Sequence, residues 1–115
     1  MAKKYEKDEV YRLGAGKLIL NAFSGNAHHC DLIAKLNGEP IGSGPTKLEN
    51  VEVGNADNLD GKRLYVYCRI SKTGPTNSVP FTIKLNDSEL NAEYVYSEQE
   101  TENIIKYFVN IILKS

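Results

Sequence analysis

Between residues 63 and 70 the chain alternates without a break: Leu64, Val66, Cys68 and Ile70 are apolar, while Arg63, Tyr65, Tyr67 and Arg69 are charged or amphipathic. A period of two sends these sets to opposite faces of an extended segment, which predicts a strand with one buried side. Val79, Phe81, Ile83 and Leu85 repeat the pattern against Pro80, Thr82, Lys84 and Asn86. The turn-rich stretch 71–78 lies between them. This arrangement predicts two antiparallel strands paired over one core.

Similar material recurs on both sides. After the punctuation of Gly14-Ala15-Gly16, residues Leu18, Leu20 and Ala22 alternate with Lys17, Ile19, Asn21 and Phe23. Apolar character on both faces predicts a central strand. Ser24-Gly25-Asn26 then predicts a turn into a segment in which His28, Cys30, Leu32, Ala34 and Leu36 share a parity, so the two segments read as a hairpin. Pro40 and Pro45, set among Gly38, Gly42 and Gly44, make 38–45 a loop or an irregular edge, because proline cannot donate to a ladder. A short strand over 48–53 precedes a turn region at 55–61, and Leu90, Ala92, Tyr94 and Tyr96 share one more strand parity.

The last segment carries two patterns. Ser97-Glu98-Gln99-Glu100 fits a capping box for a terminal helix. Ile105, Tyr107, Val109, Ile111 and Leu113 fall on one strand face, and the β-branched and aromatic content of 104–113 favours extended structure. The strand is preferred, with 98–103 as a hairpin loop and apolar side chains on both faces near its end.

Seven strands at this rhythm predict an all-β chain folded as an antiparallel β-sandwich, with Ig-like or jelly-roll connectivity. Its expected core is Leu18, Leu20, Leu32, Leu64, Val66, Ile70, Phe81, Ile83 and Leu85. Residues 1–9, charged and aperiodic, are expected to form an arm, or the approach to a first strand, ahead of a single domain at 10–115.

Composition agrees with a single ordinary globular core: 115 residues, 41% hydrophobic and 25% charged. Fourteen basic residues against fifteen acidic ones give a net charge of -1, so no overall field favours nucleic acid or an anionic membrane. The first nine residues lack the apolar run of a secretory signal. The longest apolar stretch, 104–113, is interrupted by Lys106 and Asn110 and is too short to cross a bilayer. A cytoplasmic protein with no membrane partner is expected, with Cys30 and Cys68 reduced.

His28, His29 and Cys30 are the first candidates for metal chemistry, since imidazole and thiolate suit zinc or copper. Strand geometry places His28 and Cys30 on one face and His29 on the other, so one strand supplies two ligands at most. Cys68 could add a third, and a small metal- or cysteine-dependent enzyme would be built there. The plainer assignment makes both cysteines small core residues with His28 at the rim, and no metal or other cofactor is expected.

Other motifs fail on spacing. Asn58, Asp60 and Gly61 resemble part of a calcium loop but lack its register. The glycines of 14–16 and 42–44 lack the following helix of a phosphate loop, and Ser43 lacks the elbow of a hydrolase nucleophile. Asn86-Asp87-Ser88 matches a glycosylation acceptor in form only. Glu93, Glu98, Glu100 and Glu102 form an acidic cluster that reads as a solvated loop.

Arg63, Tyr65, Tyr67 and Arg69 are the best candidates for recognition, because tyrosine and arginine are enriched where binding energy concentrates. The expected function is a non-enzymatic protein-binding or assembly module that could self-associate through its sheet faces or edges. Carbohydrate or nucleic-acid recognition by the Tyr65 and Tyr67 face is the alternative, with 61–67 faintly echoing a ribonucleoprotein motif but lacking the helices that go with it.

Overall fold

The structure is a computed structural model that describes residues 3–24, 29–71, 78–86, 88–95 and 104–115. Nine strands lie among them: β1 (Lys3–Arg12), β2 (Lys17–Ser24), β3 (His29–Leu36), β4 (Glu39–Pro45), β5 (Lys47–Asn55), β6 (Arg63–Ser71), β7 (Ser78–Leu85), β8 (Ser88–Val95) and β9 (Ile104–Lys114). One 3-10 turn at Ala56–Asn58 leads out of β5. The strands form a five-stranded sheet, ordered β1-β9-β6-β3-β4, and a four-stranded sheet, ordered β5-β2-β7-β8. The protein is an all-β sandwich. No helix among the described residues is long and apolar enough to cross a membrane.

Alternation decides the inward faces as expected. Every residue of the expected core is buried, and Ile105, Tyr107, Val109, Ile111 and Leu113 join it from β9. The terminal segment is therefore a strand, with one side sealed against the opposite sheet. Tyr107 links the layers: its ring lies 5.2 Å from that of Tyr5 and 5.3 Å from that of Phe81. Tilted pairs of this kind add about 0.5–1.5 kcal/mol each beyond the area they bury.

The pairing of strands differs from the sequence expectation in three places. β2 and β3 are not a hairpin, because β2 sits inside the four-stranded sheet and β3 in the five-stranded one. β6 and β7 are likewise split between the layers, as are β8 and β9. In each case successive strands belong to different sheets. Alternation specifies which side of a strand is dry, and a dry side is satisfied equally by either layer.

Nine strands stand among the described residues where seven were expected, because residues 3–12 form a strand and 39–45 take the irregular-edge alternative. In place of an arm, β1 pairs with β9 from Lys3↔Ile105 to Arg12↔Lys114, and this pairing is parallel, making the sheet mixed and not purely antiparallel. Tyr5 and Tyr11 pack on the core from alternate positions and hold this charged edge in place. β4 is an edge strand beside β3, where Pro40 and Pro45 are tolerated. Asn37 and Gly38, with φ of 49° and 88°, make the reversal between β3 and β4. Positive φ at both central residues is what a two-residue hairpin requires, and Asn-Gly is its strongest sequence signal. The expected turn at 71–78 and loop at 98–103 lie largely or wholly outside the described residues.

Candidate functional site

The outward side chains of the five-stranded sheet fall into cross-strand rows, because β9, β6 and β3 pair in continuous register. One row runs Glu6, Phe108, Tyr67, Ile33 and Ser43 across all five strands. On one side of it lies Lys4, Lys106, Arg69 and Asp31; on the other lies Asp8, Asn110, Tyr65 and Lys35, followed by Val10, Ile112 and Arg63. Successive rows are two residues apart, roughly 6.6–6.8 Å along the strands.

The centre of this face is apolar. Phe108 lies 5.1 Å from Tyr67 and 6.4 Å from Tyr65, ring centre to ring centre, in tilted contacts that half-bury all three. This burial, and then the nearness of Tyr67 and Glu6, pushes the Tyr65 hydroxyl above its ordinary pKa. Ile33 is 37% exposed and Val10 is 54% exposed, so the aromatic centre continues into aliphatic surface.

Charge is distributed unevenly between the two sheets. On the four-stranded side and the strand ends leading to it, cations sit beside carboxylates: Lys17 and Glu52 at 3.2 Å, Lys47 and Glu49 at 2.8 Å, Lys84 and Glu89 at 3.9 Å. On β3, β6 and β9, Lys35, Arg63, Arg69 and Lys106 face outward against one carboxylate, Asp31. None of these four cations makes an ion pair with a described residue. A chain with net charge -1 thus carries a locally basic face.

Two shallow depressions flank Arg63 at one end of this face. Lys35, Asn37, Gly38, Arg63, Tyr65 and Asn110 line one of about 540 Å³. Asp8, Arg63, Asn110 and Ile112 line another of about 320 Å³. The backbone under Arg63 is held by the hairpin turn: Arg63 N donates to Asn37 Oδ1 at 2.9 Å, and Asn37 N donates to Arg63 O at 2.9 Å. This end therefore presents ammonium, guanidinium, amide and hydroxyl donors together, a set suited to anionic groups. A third depression of about 350 Å³ on the opposite sheet involves Lys47, Glu49 and Lys84, whose charges are already paired.

Arg63, Tyr65, Tyr67 and Arg69, singled out from the sequence, all stand on this outer face. The structure adds Phe108 and Lys106 from β9 and Ile33 from β3. Their signal in the sequence is the second parity of the terminal strand, Ile104, Lys106, Phe108, Asn110 and Ile112, which becomes meaningful only once β9 is placed beside β6.

The cysteines belong to the interior. Cys30 is opposite Ile70 and Cys68 opposite Leu32, which makes the two thiols diagonal neighbours on the inner face. Both are free, with exposures of 6% and 0%. Cys30 Sγ donates to Thr46 O at 2.9 Å, where the chain leaves β4 for β5. The Cys30 hydrogen bond and burial together push the Cys68 thiol well above its ordinary pKa. His28 lies outside the described residues, and His29 is placed only by its backbone, opposite Ser71. Among the described residues no three histidine, cysteine or carboxylate side chains gather as a metal set. Asp60 of the suspected calcium loop instead accepts Ser115 N at 2.8 Å. The acidic cluster of Glu98, Glu100 and Glu102 lies outside the described residues.

The fold and this face define a β-sandwich with one basic, aromatic-centred sheet surface. Comparison with known family models, curated proteins and solved structures finds no match to the chain.

Proposed function

We propose that the protein is a non-enzymatic protein-binding module whose recognition surface is the outer face of the five-stranded sheet. The observation that carries this reading is the row Phe108, Tyr67 and Ile33, left partly open to solvent and bordered by cations that make no ion pair among the described residues. Binding patches share this anatomy: an apolar, aromatic centre gains from losing water, and a charged rim selects the partner. Ile33, in the row of the rings, and Ile112, one row beyond Tyr65, add aliphatic contact area that favours apolar side chains over the polar edges of bases or sugars. Stacking two copies of the face would bring basic rims together, so a different polypeptide is favoured over self-association.

The test compares wild-type protein with a Tyr67→Ala/Phe108→Ala variant of unchanged far-UV circular dichroism. A partner captured by the wild type and then purified should protect amides of β6 and β9 from exchange, and should not bind the variant. Equal binding to both proteins, or protection confined to the four-stranded sheet, refutes the reading. A wild-type mass above that of a monomer, reduced to monomer in the variant, would make the partner a second copy instead.

A further inference from the structure

We infer that this face takes an acidic polypeptide segment with apolar side chains at its centre, an inference that rests on the face being the recognition surface. Charge complementarity is the ground for it. Arg69 and Lys106 adjoin the apolar row on one side, and Lys35 and Arg63 stand beyond it on the other. The four are solvated cations without carboxylate partners among the described residues, in contrast to the paired charges of the opposite sheet.

The spacing sets the shape of the segment. Arg69 and Arg63 are six positions apart on β6, about 20 Å at roughly 3.3 Å per residue. An extended segment lying along β6 would place carboxylates at two ends of that span and apolar groups over Tyr67, Phe108 and Ile33 between them. The depression between Lys35, Arg63, Tyr65 and Asn110 is the place for one of the terminal carboxylates. Asp31 opposite Arg69, and Glu6 and Asp8 on the edge strand β1, would repel an acid at those margins, which confines the carboxylates to the pair Arg69 and Lys106 and the pair Lys35 and Arg63. The same margins disfavour a nucleic-acid backbone, whose charge is continuous and not confined to two ends.

The probe is a synthetic peptide with a pair of glutamates on each side of a leucine-phenylalanine-leucine centre, titrated into the full chain and followed by backbone amide shifts. Its glutamine counterpart, its lysine counterpart and an oligothymidylate are the comparisons. The glutamate peptide should shift amides of β6 and β9, and its binding should weaken as salt rises. Arg69→Glu with Lys106→Glu should reduce affinity about tenfold or more, and Lys35→Glu with Arg63→Glu should do so independently if the first pair fails to fold. Lys84→Glu on the other sheet should change nothing.

A glutamine peptide that binds as tightly overturns the acidic preference while leaving the recognition surface standing. Tighter binding of oligothymidylate overturns it in favour of nucleic acid. If none of these probes perturbs β6 or β9, the inference falls, and the fate of the recognition surface is decided separately by partner capture with the Tyr67→Ala/Phe108→Ala variant.

Discussion

Asn86 supports the fold through one short side chain, and replacing it should cost an amount the structure lets us divide. The residue follows β7 and continues the pairing of β7 with β2 past the last register pair, Leu20↔Leu85. Its N–H donates to Ile19 O at 3.0 Å, its Oδ1 accepts Ile19 N at 2.9 Å, and its Nδ2 donates to Lys17 O at 3.3 Å. On its other edge, the register of β2 against β5 shifts between Leu18 and Ile19, so Asn86 anchors the strand at its irregular point. The backbone φ of 52° is left-handed, which asparagine tolerates better than alanine. Asn86→Ala therefore loses a solvent-accessible pair of hydrogen bonds, about 1 kcal/mol net, and meets a conformational cost of about 1 kcal/mol. The expected loss is about 2 kcal/mol, or roughly 8 °C in Tm at about 4 °C per kcal/mol for a domain of this size. Asn86→Gly keeps the left-handed backbone but loses the bonds and loosens the unfolded chain, for about 1.5 kcal/mol. Asn86→Asp keeps the acceptor for Ile19 N and should cost about 1 kcal/mol or less. Urea unfolding followed by far-UV circular dichroism, with an unchanged m value, measures all three. Alanine within about 0.5 kcal/mol of wild type, or glycine worse than alanine, would refute the anchoring role.

Other expectations follow from the same geometry. Gly54 has a φ of 150°, and a Cβ there would stand 3.2 Å from Leu59 Cδ2, so Gly54→Ala should destabilise by about 3 kcal/mol. Gly14, with nothing within 4 Å of a built Cβ, should accept alanine within about 0.5 kcal/mol by the same urea assay. A double-mutant cycle on Tyr67 and Phe108, whose rings lie 5.1 Å apart, should give a coupling of about 1 kcal/mol in stability, and zero coupling would mean that the rings merely coexist. The Cys68 thiol, pushed above its ordinary 9.0, keeps its proton in the folded state after the unfolded chain has lost it. Cys30, lowered to about 7 by its hydrogen bond with Cys68, loses its proton sooner in the folded state than in the unfolded chain, so the pair should add stability as pH rises from about 7 to 9 and lose it above that by up to about 1.4 kcal/mol per pH unit. Melts of Cys68→Ala between pH 8 and about 10 should show that slope reduced; an identical slope would place its origin elsewhere.

Much of the interior could be read before any coordinates. Leu64, Val66, Cys68 and Ile70 are buried on β6, and Phe81, Ile83 and Leu85 on β7, because the period-two rule is a property of each strand alone. The Asn37-Gly38 reversal was passed over in favour of a loop or irregular edge over 38–45, although positive φ at both positions is a local requirement that Asn-Gly announces. β1 was harder to see. Its alternation of Tyr5 and Tyr11 with charged residues is weak, and its order depends on β9, about a hundred residues away in sequence.

The candidate surface was half legible for a related reason. Arg63, Tyr65, Tyr67 and Arg69 follow from one strand's parity, whereas Phe108, Lys106 and Ile33 join them only through the register of β9 and β3 against β6. The amino-acid order by itself determined which side of each strand avoids water, since hydration acts on every side chain where it stands. It did not determine which strands share a layer. Both sheets offer an apolar inner surface, so neighbours in sequence such as β2 and β3 bury their inner faces in different layers, and only the packing of the whole chain chose between the two layers. That choice placed the aromatic and basic side chains of distant segments on one face.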